Sequence, residues 1–371
     1  MTREEYCSNL PEVISKFNFQ GKYVCYKSYG SGHINDTFIV VFKKDDASDI
    51  RYILQRINMN VFKKPEDVMD NIVRVTSFLR SKITNNGGDS ERGTLNLVMT
   101  KDNKPFYVDS LGSYWRAYDF IESSLCLQSA ESESDFYQSA VAFGNFQKML
   151  NEFPAETLHE TIPDFHNTPD RFNKFIKAIN EDKLGRADSV KIEIEFIEQR
   201  KEFTSVLFDN YKRGDLPLRV THNDTKLNNV MLDSKTRSAL CVIDLDTIMP
   251  GFSVTDFGDS IRFGASTGAE DETDLSKVNL DLNLFDTYTK GFLVGCGGLL
   301  TDSEISLLAE GAKMMTLECG MRFLTDYLEG DTYFKIHYPQ HNLDRCRTQL
   351  KLVSDMETKW VQMKEIVNKN K

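Results

Sequence analysis

Three short apolar runs with polar segments between them, at residues 218–220, 230–232 and 239–243, constrain the fold of this chain more than any other feature. Short apolar runs bounded by polar segments are typical of buried strands. We therefore predict a strand, a polar loop and a second strand, followed by a third strand that ends at Asp244. This arrangement brings three polar side chains to one place: Asp224, Asn229 and Asp244.

The types and spacing of these side chains suit phosphoryl transfer. Asp224 would orient an acceptor hydroxyl and accept its proton, while the amide oxygen of Asn229 and the carboxylate of Asp244 would hold Mg²⁺. Lys226 would offset charge on the transferred phosphoryl group. The protein-kinase catalytic loop also begins His-x-Asp and places an Asn five residues after the Asp. Any one of these residues is more often a turn former, but the whole set predicts a phosphotransferase.

A second aspartate motif competes for the metal. Residues 256–258 read Asp-Phe-Gly, the kinase metal motif, but they begin thirty-two residues after Asp224, whereas Asp244 lies twenty residues after it. We therefore assign the metal to Asp244. Asp256 and Asp259 are expected to cap a helix and to tie the catalytic loop down.

The first half of the chain is rich in strands. We predict helices over residues 4–17 and 65–83 from their apolar spacing, the second with a proline in its first turn. The remaining segments predict a five-stranded antiparallel lobe. They are a hairpin over residues 21–41, a strand over 51–57, a hairpin of 94–100 with 106–108, and a last strand over 114–121.

A glycine-containing turn separates the first two strands. Gly30 and Gly32 would allow the backbone to approach a phosphate and to point amides at it. Taken alone, Gly-x-Gly more often marks a plain hairpin turn, but upstream of the catalytic loop it predicts a cover for nucleotide phosphates. His33 and Asn35 would then face the phosphates or the substrate, the alternative being that they stabilise the turn.

The third strand lacks an expected lysine. In protein kinases this strand carries the lysine that binds the α- and β-phosphates, but here Gln55 or Arg56 stands in its place. Strand alternation directs only one of the two toward the nucleotide. We favour Arg56 because it would supply the missing cation.

The character of the chain changes after residue 121. The polar stretch 122–134 is either a hinge, where adenine would meet backbone groups near Glu122, or a solvated linker. Beyond it, apolar periodicity predicts helices at residues 133–152, 168–182, 189–212, 285–294, 302–328 and 343–367. We therefore predict an α+β, two-lobed, protein-kinase-like fold. Its parts are an N-terminal nucleotide-binding lobe (1–121), a hinge (122–134) and a helical C-terminal lobe with catalytic and substrate-binding residues (135–371).

Composition narrows the classes of partner that this chain is expected to bind. The net charge of −11 and the sequence pI of about 5.2 argue against nucleic acid or an anionic membrane as the main partner. ATP needs only a local group of donors and remains compatible. The seven cysteines form no Cys-x-x-Cys pair, which favours reduced core cysteines and a cytoplasmic location. No apolar run has the length of a membrane span.

Six blocks of the sequence resemble the N-acetylhexosamine 1-kinases, within the aminoglycoside phosphotransferase and choline kinase superfamily. The blocks are residues 29–38, 53–58, 224–229, 243–251, 256–264 and 322–333. The resemblance implies that ATP and Mg²⁺ are used to phosphorylate the anomeric hydroxyl of N-acetylglucosamine or N-acetylgalactosamine, with Asp224 as the general base. It implies that Asp246 either assists a second metal ion or holds the loop. It also implies a sugar-binding set around that base: His33, Trp115, Phe263, Arg322 and Tyr333.

Two other functions are compatible with the sequence. One is a kinase for an amino alcohol or an aminoglycoside, whose positive charge would require acids such as Glu270, Asp271, Glu272 and Asp274, although such a run is more often a solvated face. The other is a pseudokinase that binds nucleotide without turnover. The intact Asp224, Asn229 and Asp244 argue against the pseudokinase.

Overall fold

The computed structural model describes residues 9–30 and 34–371, which form two compact units. The sheet unit comprises the residues up to Ser124 together with Leu158–Pro163 and Leu240–Ile248. The helical unit comprises Leu125–Thr157, Asp164–Ala239 and Met249–Lys371. A sheet-rich first part followed by a mostly helical second part confirms the predicted α+β fold class.

The sheet unit is built on one antiparallel sheet. Its strands follow the order β1-β2-β3-β5-β4, and every neighbouring pair is antiparallel. The elements of this unit are α1 (Leu10–Lys16), β1 (Lys22–Ser28), β2 (Asp36–Lys43), β3 (Asp49–Arg56), α2 (Pro65–Asn85), α3 (Ser90–Gly93), β4 (Tyr107–Val108) and β5 (Tyr114–Asp119). The number of strands matches the predicted five-stranded lobe, although residues 94–100, one of the segments named as a strand, are not among them.

One face of this sheet is the apolar core of the unit. Alternate residues of β2, β3 and β5 point to the same side, and those on the core side are buried together with residues of α1. The core residues include Leu10, Val13, Phe17, Phe38, Val40, Tyr52, Leu54, Trp115 and Ala117. The alternation leaves the opposite face of the same strands available for polar side chains.

The predicted hairpin of residues 94–100 with 106–108 is wrong in its first strand. Residues 94–100 make only isolated bridges, from Leu97 to Tyr118 and from Thr100 to Phe17. The side-chain amide of buried Asn96 donates to backbone carbonyls of residues 90–94. Such local side-chain bonds compete with a regular strand ladder, so this segment packs against the sheet without extending it.

The helical unit follows in a run of helices interrupted by short strands, and β6 and β9 cross the sequence boundaries between the units. The elements are β6 (Ser124–Cys126), α4 (Glu133–Met149), α5 (Thr168–Glu181), α6 (Lys191–Glu198), α7 (Val206–Arg213), β7 (Arg219–Thr221), β8 (Val230–Asp233), β9 (Ala239–Val242), β10 (Met249–Gly251), α8 (Ser253–Gly264), α9 (Leu282–Cys296), α10 (Asp302–Ser306), α11 (Leu308–Glu329), α12 (His341–Thr358) and α13 (Trp360–Asn370). Strands β7 and β10 pair antiparallel.

Three predicted long helices are each broken. The helix expected over residues 189–212 consists of α6, a 3₁₀ turn at Lys201–Ser205 and α7. The other two are divided at Leu307 and at Lys359. At the last break, the ammonium of Lys359 donates to the carbonyl of Leu280. Tertiary contacts of this kind are absent from a local apolar pattern, which therefore predicted continuous helices.

Glycines allow two pairs of helices to pack closely. A Cβ on Gly144 of α4 would lie 2.3 Å from the Phe292 carbonyl oxygen of α9, and a Cβ on Gly258 of α8 would lie 2.2 Å from the Gly311 carbonyl oxygen of α11. Gly258 is the glycine of the Asp-Phe-Gly tripeptide. In this chain the glycine of the tripeptide therefore serves helix packing.

Within the described part of the chain, none of the helices is both long and apolar enough to span a bilayer.

Candidate active site

The segment that follows β7 forms a tight polar loop. Strand β7 ends at Thr221, and Asn223 takes a left-handed backbone conformation with φ of +65°, which asparagine tolerates better than most residues. A 3₁₀ turn at Leu227–Asn229 then leads directly into β8. The predicted order of strand, loop and strand is confirmed, and the turn folds Asn229 back toward Asp224.

Three of the predicted site residues converge in this loop. The Lys226 ammonium lies 2.9 Å from Oδ1 of Asp224. The side-chain amide of Asn229 donates to Oδ2 of Asp224 at 3.0 Å and to its backbone carbonyl at 2.8 Å. Because its nitrogen faces Asp224, the amide directs its oxygen away from that carboxylate. Asp224 keeps 28 % of its side chain exposed, enough for contact with a small acceptor.

Electrostatics keep Asp224 ionised. Burial acts to raise the pKa of Asp224, but the positive charge and hydrogen bond of Lys226, with help from Asn229, hold that pKa below its usual value. The same pairing raises the pKa of Lys226. Around neutral pH the loop therefore presents a carboxylate beside an ammonium.

Two buried aspartates of α8 hold the loop in place. The Asp256 carboxylate accepts the backbone N–H groups of His222 at 2.9 Å and Asn223 at 2.8 Å, and Asp259 accepts that of Thr225 at 3.0 Å. Neither caps α8, whose N-cap residue makes no side-chain bond. The expectation that they tie the loop down is confirmed, and the expectation that they cap a helix is wrong.

His222 has a structural role. Its side chain is fully buried, and its ring meets the edges of Phe143 and Phe146 on α4. Its Nδ1 atom accepts the backbone N–H of Asp224 at 3.3 Å. The histidine thus joins the catalytic loop to the core of the helical unit.

The predicted metal loop lies in the sheet unit. Asp244 is exposed and left-handed, with φ of +59°. Asp246 is buried, and its carboxylate accepts hydrogen bonds from Asn35 at 2.6 Å and from Arg116. The Thr161 hydroxyl binds its backbone carbonyl. With both carboxylate oxygens engaged, Asp246 is placed to anchor the loop, the second of its two predicted roles.

The residues predicted to contact the nucleotide phosphates differ in how the structure places them. Gly30 has φ of +77°, whereas Gly32 and His33 lie outside the described residues. The Asn35 side-chain oxygen accepts the backbone N–H of Asn58, which fixes the residue in the turn. The Arg56 guanidinium is bound to the carboxylate of Asp36 at 2.6 Å.

Glu122 is engaged by two arginines. Its exposed carboxylate accepts a hydrogen bond from Nε of Arg51 at 2.9 Å and another from Nη2 of Arg51. Arg92 donates to the backbone carbonyls of Glu122 and Ser123. The side chain of Glu122 is therefore held by Arg51. The backbone carbonyls of Glu122 and Ser123, in the segment predicted to meet adenine, are bound by Arg92.

The structure brings two of the sugar-binding candidates together. The Arg322 guanidinium on α11 lies 5.8 Å from the ring centre of Tyr333, and Tyr333 is 59 % exposed. The Asp326 carboxylate accepts the backbone N–H groups of residues 332–334 and so fixes the segment that carries Tyr333. Phe263 lies one-third exposed on α8.

Trp115 is placed in the core. Its side chain is fully buried, and the indole N–H donates to Asp109 at 2.8 Å. Its ring packs near Phe38. A sugar has no access to the indole in this conformation, so we correct the expectation that Trp115 forms the wall of a sugar site.

Sequence reasoning missed a cluster beside Arg322. His166 lies between the catalytic loop and α11: its ring nitrogens are 2.7 Å from the Glu318 carboxylate and 3.3 Å from the Asn223 carbonyl oxygen. The ring of Phe165 lies 5.1 Å from the Arg322 guanidinium. These residues come from a polar connection without periodicity or motif, so no sequence pattern pointed to them.

The available donors fit a hard cation. Among the residues that the structure describes, no three His, Cys, Asp or Glu side chains cluster as a metal site. Each of the two predicted ligands offers an oxygen of the kind that Mg²⁺ prefers. In the helical unit it is the amide oxygen of Asn229, and in the sheet unit it is the exposed carboxylate of Asp244.

Known proteins resemble the chain in sequence and in fold. Residues 90–287 match the model of the phosphotransferase enzyme family. Similar solved structures include an aminoglycoside phosphotransferase from Alicyclobacillus acidocaldarius, with a TM-score of 0.63, 12 % identity and coverage of 97 % of this chain and 96 % of that one. A choline kinase from Cryptosporidium parvum has a TM-score of 0.56, 12 % identity and coverage of 93 % and 92 %. The amicoumacin kinase hAmiN, in complex with AMP-PNP, Ca²⁺ and amicoumacin, has a TM-score of 0.52, 12 % identity and coverage of 99 % and 96 %. At these identities the structural similarity establishes a shared fold.

Proposed function

We propose that this chain, which belongs to the phosphotransferase enzyme family, transfers the γ-phosphoryl group of ATP to the anomeric hydroxyl of an N-acetylated hexosamine. The observation that carries phosphoryl transfer is the loop in which Lys226 and Asn229 bind the carboxylate of Asp224. The acceptor is proposed from the sequence blocks that resemble N-acetylhexosamine 1-kinases and from the surroundings of Arg322.

The chemistry at Asp224 is direct. The carboxylate accepts a hydrogen bond from the acceptor hydroxyl and orients its oxygen. As that oxygen bonds to the γ-phosphorus, the bond from the phosphorus to the β–γ bridging oxygen breaks, ADP leaves, and the hydroxyl proton passes to Asp224. Lys226 offsets negative charge near the reacting groups. Such a reaction depends mainly on positioning and electrostatic stabilisation.

A divalent cation belongs to this proposal. Asn229 and Asp244 would hold Mg²⁺, which would offset the charge of the phosphates. The nucleotide analogue and Ca²⁺ bound to hAmiN support ATP and a divalent cation as partners of this chain.

The surroundings of Arg322 favour a neutral acceptor. The guanidinium lies among the rings of Phe165, Tyr333 and Phe334, at 5.1 to 5.8 Å. Burial lowers the pKa of Arg171, and the charge of nearby Arg322 lowers it further, so two guanidiniums lie close together. Aromatic rings suit the apolar face of a sugar, and a guanidinium suits its hydroxyl and acetamide oxygens. A cationic acceptor would be repelled.

The acidic run that a cationic acceptor would require is engaged by side chains of the chain itself. Glu270 pairs with Arg262 at 2.9 Å, and Asp271 lies 3.2 Å from a ring nitrogen of His341. Glu272 and Asp274 both lie within 4 Å of the ammonium of Lys277. These partnerships support the acetamido sugar over an amino alcohol or aminoglycoside.

A substrate panel tests the proposal. ADP release with ATP and Mg²⁺ is followed for N-acetylglucosamine, N-acetylgalactosamine, glucose, choline, homoserine and an aminoglycoside. We expect turnover on the acetamido sugars, with an alkali-stable and acid-labile 1-phosphate as product. Turnover only on a cationic alcohol would retain the Asp224 chemistry and reject the sugar. ATP binding without turnover on any acceptor would favour the pseudokinase.

A further inference from the structure

A buried arginine lies on the polar face of the sheet unit. Arg116 of β5 is 1 % exposed. Its Nη1 atom donates to the Asp246 carboxylate, and its Nε atom donates to the side-chain oxygen of Gln55 at 3.1 Å. A buried guanidinium is costly unless it is paired and hydrogen-bonded. Both bonds fix its orientation.

The strand register places Arg116 beside the position of the missing lysine. Gln55 lies directly opposite Arg116 in the β3–β5 ladder and directly opposite Thr37 in the β2–β3 ladder. Residues that lie directly opposite one another point to the same face. Arg56 lies opposite Trp115 and so belongs to the other, core-side face. Of Gln55 and Arg56, the two residues that could stand in for the lysine, Gln55 therefore lies on the same face of the sheet as the Arg116 guanidinium.

That cation is also close to the predicted metal loop. Asp246, which accepts a hydrogen bond from Nη1 of Arg116, lies two residues after Asp244 in the same loop. A guanidinium stays protonated in proteins. Asp244 is the residue that we propose as a metal ligand, so the cation lies beside the loop that would hold the metal.

The two hydrogen bonds use only part of the donor capacity of Arg116. A guanidinium has five N–H donors, and the bonds named here run from Nε to Gln55 and from Nη1 to Asp246. A guanidinium is also shaped to bind phosphate oxygens through parallel N–H groups. The geometry of Arg116, held in one orientation on this face, therefore suits a phosphate ligand.

We propose that Arg116 binds the phosphates of the nucleotide in place of the kinase lysine, and that Gln55 and Asp246 hold it in position. This inference rests on the proposed function, since it requires ATP as a ligand. Protein kinases hold their lysine with a glutamate, and here Asp246 would hold an arginine that reaches the same role from the neighbouring strand. Asp246 then positions Arg116 rather than binding a second metal ion.

Direct nucleotide binding tests this assignment. ATP, ADP and adenosine are titrated calorimetrically into the wild-type protein, Arg116→Lys, Arg56→Met and the control Arg80→Met, whose guanidinium pairs with Glu91 in the same unit. We expect Arg116→Lys to weaken ATP and ADP by at least about tenfold, the worth of one charge-assisted hydrogen bond. Adenosine, which has no phosphate, should bind all four proteins within about twofold.

A compensating variant distinguishes loss of phosphate binding from a folding defect. Arg116→Met with Asp246→Asn removes both buried charges, and adding Gln55→Lys returns a cation to the same face. We expect the added lysine to recover part of the ATP affinity at an unchanged melting temperature. Equal ATP affinity of the wild type, Arg116→Lys and the charge-free double variant would overturn the inference, as would loss of affinity in Arg56→Met alone. Failure of the wild type to bind ATP would instead overturn the proposed function.

Discussion

At the scale of the residue, the low pKa of Asp224 defines what kind of base it is. A carboxylate stabilised by Lys226 and Asn229 is a weak proton acceptor but a strong acceptor of a hydrogen bond. Phosphoryl transfer proceeds through a loose transition state in which positioning dominates. In the proposed reaction, Asp224 would therefore act chiefly by orienting the acceptor oxygen, and it would receive the proton once the new bond has largely formed.

Replacing Asp224 by asparagine should abolish turnover and preserve nucleotide binding. The amide keeps the shape of the side chain but accepts no proton, so we expect kcat to fall by about a thousandfold or more, as for loss of a general base. ADP release and calorimetric titration with ATP measure the two effects. Asp215→Asn, at an exposed aspartate paired with Arg213, is the control. Activity within about tenfold of the wild type would reject Asp224 as the base.

Arg322 should affect the acceptor and not the nucleotide. Arg322→Lys keeps the charge but loses the planar donors that lie near the rings of Phe165 and Tyr333, so we expect the KM for the acetamido sugar to rise by about tenfold or more. The KM for ATP should stay within about twofold. Arg347→Lys, at a partly exposed arginine that pairs with Glu193, controls for the substitution. An equal rise in both KM values would place Arg322 outside the acceptor site.

The catalytic loop could be predicted from the sequence because its chemistry depends on short spacings. Asp224, Lys226 and Asn229 lie within six residues, and one turn fixes their geometry. Arg116 and His166 could not be predicted, because each reaches its partners through contacts between residues far apart in the sequence. Trp115 was misassigned for a related reason: an aromatic on a strand belongs to the core or to a site according to its face, and the face depends on register.

At the scale of the element, Glu304 joins three segments around the catalytic loop. Its fully buried carboxylate binds Arg219 at the start of β7, the Ser253 hydroxyl at the start of α8 and the backbone N–H of Thr301 at the N-cap of α10. Strand β7 delivers the catalytic loop and α8 holds it. The glutamate thus connects the delivery of the loop to its anchor.

The stability of this junction should depend on pH. Burial acts to raise the pKa of Glu304, but the hydrogen bonds and charge of Arg219 and the other donors hold it below its usual value of 4.5. A depressed pKa stabilises the fold fully above pH 4.5, and the stabilisation is lost as the pH falls through the lower, folded-state value. Glu304→Gln should therefore reduce the free energy of unfolding at pH 7 by about 2–4 kcal/mol.

Urea unfolding of both proteins between pH 7 and pH 3.5 measures this dependence. The difference between wild type and Glu304→Gln should be largest at neutral pH and should shrink below pH 4.5. Glu365→Gln, on the exposed face of α13, should show no such difference. A difference that stayed constant down to pH 3.5 would show that loss of shape, rather than loss of charge, destabilises the variant.

Elements were predictable where the local pattern agrees with the tertiary contacts. Strand β3 and the helix α2 follow their apolar periodicity closely. Local periodicity does not predict the helix breaks at Leu307 and Lys359 or the irregular segment 94–100. These features depend on contacts with distant residues, such as the bond from Lys359 to the Leu280 carbonyl. Helix α3 has only four residues, capped by Asp89, which is too short for periodicity to reveal.

At the scale of the whole molecule, the net charge of −11 acts on every ligand that approaches. A long-range negative field slows the association of anions, attracts cations and leaves neutral molecules unaffected. ATP with its metal remains an anion, whereas an acetamido sugar is neutral and an amino alcohol or aminoglycoside is a cation. The response to ionic strength therefore distinguishes the candidate acceptors independently of the side chains at the site.

Raising the ionic strength should change the kinetics for each ligand in a different direction. Between 0.01 and 0.15 M salt the screening length falls from about 30 to about 8 Å, so the repulsion between the protein and ATP weakens while buried contacts such as that of Arg116 with Asp246 are screened much less. We expect ATP to associate faster in stopped flow and the KM for the sugar to stay within about twofold. A cationic acceptor would show a KM that rises with salt. A strong salt dependence of the acceptor KM would thus contradict a neutral sugar even if Asp224 proved to be the base.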